Sequence, residues 1–163
     1  MRYHNITMDD MKNGDGLRTV LWVSGCSHHC KDCHNPITWN PEIGLPFDEW
    51  AKAELMMNLA KPWIEGITFS GGDPLFEDNR ETVGNLISFI RTNYPDKNIW
   101  VYTGYCFEDL SDLPFLKDID VLVDGRYECD KRDVALKWRG SMNQRVIDVK
   151  MSLETGKVVL HCD

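Results

Sequence analysis

Four short apolar runs, each closed by glycine, recur through the first 125 residues, and helical stretches separate them. "LRTVLWVSG" (17–25), "GITFSGG" (66–72), "NIWVYTG" (98–104) and "DIDVLVDG" (118–125) are rich in β-branched residues and read as strands. Between the first two, "FDEWAKAELMMNLA" sets Ala51, Leu55 and Leu59 at i, i+4, i+8, with acidic residues in its first turn. Between the second and third, "RETVGNLISFIRTNY" puts Val83, Leu86, Ile87, Ile90 and Tyr94 on one helical stripe. A weaker helix is predicted over 107–117. This β-α-β-α-β-α-β order demands a parallel sheet, because parallel neighbours need a crossover and cannot be joined by a tight turn.

The last segment differs. "QRVIDVKMSL" and "KVVLHCD" flank "ETGK" and read as a β-hairpin. No linker, repeat or low-complexity stretch divides the chain, so residues 1–163 read as a single domain, large enough to bury its own core. About four βα units, against the eight of a closed barrel, predict an α/β fold: a partial, open (β/α) barrel with a C-terminal hairpin.

Such a sheet gathers the loops that follow its strands on one face, where ligands bind. The unusual segments all fall there: "GCSHHCKDCHN" (25–35), "SGGDP", "TGY" and "DGRYE". The first carries Cys26, Cys30 and Cys33 as Cys-x3-Cys-x2-Cys. The opening "MRYHNITMDDMKNGDG" has no apolar signal region, and no segment approaches the roughly 18 apolar residues of a membrane span. The chain therefore reads as cytoplasmic, and in a reducing compartment clustered thiols serve metals or catalysis rather than disulfides. The net charge of -8 argues against a nucleic-acid partner, which needs a basic face. Cys106, Cys129 and Cys162 are scattered and read as buried structural thiols.

Three thiolates bind three irons of a [4Fe-4S] cubane and leave the fourth iron open to an outside ligand. The alternative is a non-catalytic interaction module with a Cys3His zinc site completed by His28, His29 or His34. Zinc accounts for the loop but not for the glycine-rich turns on the same face.

The cysteine spacing after a first strand, followed by a Gly-Gly-acidic-Pro turn after the second, resembles the radical S-adenosylmethionine superfamily. Within it, "NGDGLRTVLWVSGCSHHCKDCHNPITWN" resembles the glycyl-radical-enzyme activases, whose opening motif is approximately D-G-x-G-x-R. The short chain and "WRGSMNQR" (138–145) are similar to the branch that acts on anaerobic ribonucleoside-triphosphate reductase. Two positions depart from the pattern: Asn13 stands where the motif has aspartate, and Asp32 where many members carry an aromatic.

The resemblance implies that Cys26, Cys30 and Cys33 ligate a [4Fe-4S] cluster and that S-adenosyl-L-methionine chelates the open iron. Reductive cleavage would then give a 5'-deoxyadenosyl radical that takes hydrogen from a glycine of the reductase's large subunit. A flavodoxin or ferredoxin would supply the electron, and pyruvate formate-lyase is the rival partner. Backbone groups at Gly71 and Gly72, with the Asp73 carboxylate, are expected to receive the amino group of S-adenosylmethionine. Asp124 and Arg126, two apart, are expected to leave one side of their strand. Arg126 would pair with the carboxylate, and Asp124 would reach the amino group or ribose. Thr103 and Tyr105 are cofactor candidates by position, and His34 and Asn35 are expected to tune the cluster through hydrogen bonds. Arg139, Ser141, Asn143, Gln144 and Arg145 are expected at the mouth, holding the glycine loop or the cofactor.

Overall fold

The four glycine-closed runs become the parallel centre of an eight-stranded sheet in the computed structural model, which describes residues 1–162. The strands are β1 (Arg2–Asp10), β2 (Arg18–Val23), β3 (Leu45–Pro46), β4 (Gly66–Gly71), β5 (Asn98–Tyr102), β6 (Val121–Asp124), β7 (Arg145–Asp148) and β8 (Leu160–Cys162). Their order is β3-β1-β2-β4-β5-β6-β7-β8. The three inner pairs from β2 to β6 are parallel, and all outer pairs are antiparallel. The order is linear, with β3 and β8 as its two edges.

Strand alternation divides the side chains between two faces. Leu21, Val23, Ile67, Phe69, Ile99, Val101 and Leu122 join the main core, which also takes in the helices α1 (Glu49–Leu59) and α2 (Glu77–Asn93). Asp48 caps α1 by accepting bonds from the Trp50 and Ala51 amides, and Ala51, Leu55 and Leu59 are buried as the spacing predicts. On α2, Val83, Leu86, Ile87 and Ile90 are buried, while Tyr94 is half-buried at its carboxyl end. Trp100, Val121, Val123 and Val146 make a second cluster on the other face.

That second face is floored by Arg18, which is fully buried at the start of β2. Its guanidinium donates to Thr68 Oγ1 (2.8 Å), the Asp15 carbonyl (2.9 Å), Asn98 Oδ1 (2.5 Å) and the Ile67 carbonyl (2.7 Å), and lies over the Trp100 ring. Burial lowers its pKa to about 10, which still leaves it cationic at neutral pH. Trp138 and His161 pack edge-on against Trp100, and both bond the Asp15 carboxylate. The "NGDGLR" stretch thus seals the amino ends of the strands, away from the cysteines.

The structure departs from the sequence expectation at several places. Strand β1 is unpredicted: register shifts after Tyr3 and Thr7 break its alternation, so only Tyr3 and Ile6 are buried. The helix expected over 107–117 is two 3-10 turns, Phe107–Leu110 and Leu116–Asp118, because Pro114 supplies no amide to continue a helix. The C-terminal hairpin is also corrected. β7 and β8 pair antiparallel, but "VKMSLET" is the short helix α3 (Val149–Thr155), started by Asp148, whose carboxylate accepts from the Met151 amide. Lastly, Cys106 is exposed and Cys129 and Cys162 are half-buried, where fully buried thiols were expected. Among the described residues, no helix is long and apolar enough to cross a membrane.

Candidate active site

β2 delivers the chain into the cysteine loop, and the loop is tied back to its own exit. The Gly25 and Cys26 amides donate to the Thr38 and Trp39 carbonyls, and the Cys33 amide donates to the Cys30 carbonyl. Cys26, Cys30 and Cys33 are all half-buried, and none is in a disulfide. The Asn35 amide donates to Cys33 Sγ at 3.4 Å. Asp32 has a left-handed backbone (φ 55°), a conformation that aspartate adopts more readily than a bulky aromatic. This is a local reason for its departure from the common pattern.

The "SGGDP" turn abuts that loop backbone to backbone. The Gly72 amide donates to the Val23 carbonyl and the Asp73 amide to the Gly25 carbonyl. Gly71 has φ 108°, and a Cβ there would stand 2.6 Å from the Val23 main chain; at Gly72 it would stand 2.4 Å from the Gly25 carbonyl oxygen. Main chain cannot swing aside as a side chain would. Gly71→Ala is therefore expected to lower the unfolding free energy by about 1–3 kcal/mol in urea denaturation, the usual range for a residue forced into such a conformation.

Asp73 is the junction of three loops. Its buried carboxylate accepts from the Leu75 amide (2.8 Å), Thr103 Oγ1 (2.9 Å) and the Gly104 amide (2.9 Å). It also meets His28 Nε2 at 2.8 Å, which joins the cysteine loop to the two following turns. Donors of the chain itself therefore surround the carboxylate expected to hold the amino group. Tyr105 lies edge-on to the His28 ring.

The fourth loop separates the two residues expected to act as a pair. Gly125, at φ 89°, ends the strand alternation after Asp124. Asp124 is 1% exposed on the Leu122 side, where it accepts from the Phe107 amide and is clasped by Arg145. Arg126 is exposed and donates to the His28 carbonyl at 2.5 Å, against the cysteine loop. The glycine is the reason the expected common side does not form.

Arg145 also grips Glu108 through two bonds, at 3.0 and 2.8 Å, and holds that carboxyl down to about 2 from its ordinary 4.5. A depressed carboxylate stabilises the fold above its unfolded pKa, and the contribution fades as pH falls through the folded one. Glu108→Gln is expected to flatten the rise in stability between pH 2 and pH 4.5, read from urea midpoints across that range.

The "RGSMNQR" segment is fastened to the end of β6. Ser141 Oγ accepts from the Glu128 amide, and Gln144 accepts from the Gly140 and Ser141 amides and donates to the Gly125 carbonyl. Asn143 donates to the Arg126 carbonyl and Arg139 to the Gln144 carbonyl. Two buried atoms of this segment, Arg139 Nε and Asn143 Oδ1, have no hydrogen-bond partner among the described residues. His34 lies beside Tyr127 of the same neighbourhood, its ring 5.5 Å away.

Comparison with known proteins decides the family. Residues 12–147 match the family model described as a 4Fe-4S single cluster domain. The anaerobic ribonucleoside-triphosphate reductase-activating protein of Enterobacteria phage T4 is 46% identical over 146 residues, spanning 90% of this chain and 93% of its own. Those of Escherichia coli K12 and Haemophilus influenzae Rd are 41% and 39% identical, spanning 90% and 93% of this chain and 97% and 100% of their own. The chain belongs to the anaerobic ribonucleoside-triphosphate reductase-activating protein family.

For a member of this activating-protein family, matched by a 4Fe-4S domain model, the loop offers thiols of the kind such a cluster takes as ligands, none of them in a disulfide. The three sit on one short loop, and burial pushes the Cys26 thiol up to about 11, so holding a cluster there would require its proton to leave. A zinc set is not assembled. His28 is engaged by Asp73, His29 lies edge-on to Trp39 and His34 sits against Tyr127.

Sequence reasoning met Arg18 only as the arginine of the D-G-x-G-x-R match and Trp138 only as the first residue of "WRGSMNQR", without placing either at the floor, and took His28 only as a zinc ligand. A charged residue opening an apolar strand, at the arginine position of that motif, was the signal for a structural role of Arg18. The importance of the other two depends on distant residues.

Proposed function

We propose that this chain activates the large subunit of anaerobic ribonucleoside-triphosphate reductase by hydrogen abstraction from a glycine, as a single radical S-adenosylmethionine domain over 1–163. Cys26, Cys30 and Cys33 would hold the cluster. When bound and reduced, a [4Fe-4S] cluster with S-adenosyl-L-methionine supplies a 5'-deoxyadenosyl radical for that abstraction. The observation that carries this reading is the joining of the cysteine loop to "SGGDP" and "TGY" through one buried carboxylate, at the carboxyl end of the parallel strands.

The residues take their roles from this geometry. Asn35 steadies the Cys33 sulfur through its amide. Gly71, Gly72 and Thr103 line the approach of the methionine end. Arg126, exposed beside the loop, offers a guanidinium fork to a carboxylate. Asp124 acts through Arg145 on the far side of its strand rather than on the cofactor. Arg139, Ser141, Asn143 and Gln144, in the segment fastened to the end of β6, would hold the incoming glycine loop. With the floor sealed, the approach would be from the carboxyl end, as in a partial, open barrel of the radical S-adenosylmethionine type. The electron donor would be a flavodoxin or ferredoxin, and the compartment the cytoplasm.

Anaerobic incubation with the reductase, S-adenosylmethionine and a reductant is expected to give a glycyl radical doublet in electron paramagnetic resonance. A doublet on pyruvate formate-lyase and none on the reductase would reassign the partner. A colourless protein holding stoichiometric zinc after reconstitution with iron and sulfide would overturn the reading.

A further inference from the structure

His28 is the residue of the Cys26–Cys30 interval whose side chain leaves the cysteine loop to bond another loop. Its Nε2 stands 2.8 Å from the Asp73 carboxylate, and the two side chains are 12% and 2% exposed. One face of the ring is packed on Gly104: a Cβ there would lie 2.4 Å from His28 Cδ2 and 2.6 Å from its Nε2. Tyr105 closes on the ring edge-on at 4.7 Å, and the His28 carbonyl accepts from Arg126. One residue thus touches the loops after β4, β5 and β6.

Gly104 has no left-handed φ to explain it. The space its missing side chain leaves is filled by the imidazole, so the glycine of "TGY" serves His28. Asp73, bonded by four groups of the chain, is likewise committed to holding that ring.

We propose that His28 is a positioning residue: wedged on Gly104 and bonded to Asp73, it sets the cysteine loop, and with it the cluster's open iron, in register with the turns that receive S-adenosylmethionine. This rests on the function proposed above. Residues that orient metal ligands without touching the metal typically change affinity or activity by roughly 10- to 100-fold. The register matters here because a chelating ligand must meet the iron and the two turns at once.

The test uses the full chain, reconstituted anaerobically with iron and sulfide, as His28→Gln, His28→Leu and Gly104→Ala. Iron content is measured, and the paramagnetic signal of the reduced cluster is followed as S-adenosylmethionine is added. His28→Leu is expected to need roughly 10- to 100-fold more S-adenosylmethionine for the half-maximal spectral change. Gly104→Ala, which keeps the histidine but takes its seat, is expected to do the same. His28→Gln, whose amide still donates to Asp73, is expected to stay close to wild type. Wild-type titrations in both His28→Leu and Gly104→Ala would overturn the proposal, as would a His28→Gln no better than His28→Leu. If His28→Leu loses iron altogether, Gly104→Ala decides alone, and a wild-type titration there overturns it. A wild-type protein whose cluster ignores S-adenosylmethionine would remove the function itself, which is a different outcome from insensitive variants.

Discussion

Alanine at any one of Cys26, Cys30 or Cys33 is expected to reduce bound iron from about four per chain to a residual level and to remove the glycyl radical signal of the partner. In the proposed cluster each thiolate would hold one iron, and the loop's histidines are engaged elsewhere. His28 is bonded to Asp73, and the rings of His29 and His34 are packed against Trp39 and Tyr127. Because the loop is anchored by main-chain bonds at Gly25, Cys26 and Cys33, the variants should keep the fold. Iron analysis, the visible charge-transfer absorption and the radical assay check the three consequences together. Circular dichroism should match wild type. Retained activity in all three variants would refute the ligand assignment.

Arg18→Ala is expected to cost about 3–5 kcal/mol of stability, the scale seen when one member of a buried charged network is removed. Its guanidinium satisfies Thr68 Oγ1, Asn98 Oδ1 and the carbonyls of Asp15 and Ile67, all in or beside the sheet. Without it those acceptors lose their donor, at about 1–3 kcal/mol for each that is left buried and unpaired, and Trp100 loses the cation above its ring. Arg18→Lys is expected to recover only part, since an ammonium cannot reproduce the fork. Urea denaturation should show a lower midpoint with an unchanged slope. Arg18 lies at the opposite ends of the strands from the cysteines, so loss of activity in folded Arg18→Lys would show that the floor supports the site from a distance.

These two cases divide along what is legible in a one-dimensional string. The cysteine triplet and "SGGDP" could be read because their residues are neighbours in sequence and their chemistry depends on spacing. Strands β2, β4, β5 and β6 could be read because burial on both faces makes continuous apolar runs. Helices α1 and α2 could be read because each buries one stripe. Strand β1 is irregular and half-exposed, and α3 has only seven residues, so neither leaves a periodic trace.

The sequence by itself determined the four parallel strands, the helices α1 and α2 between them, and the place of the cysteine triplet and "SGGDP" at the carboxyl ends of those strands, since each follows from short-range pattern. Only the tertiary structure decided how those parts are held. His28 meets Asp73 across 45 residues, Arg126 meets the His28 carbonyl across 98, and Trp138 meets Asp15 across 123. It also parted Asp124 from Arg126, because one glycine with positive φ ended the alternation that would have paired them. Hydrogen bonds and packing act through space, and a chain folded into crossovers brings together residues whose separation in sequence carries no record of their contact.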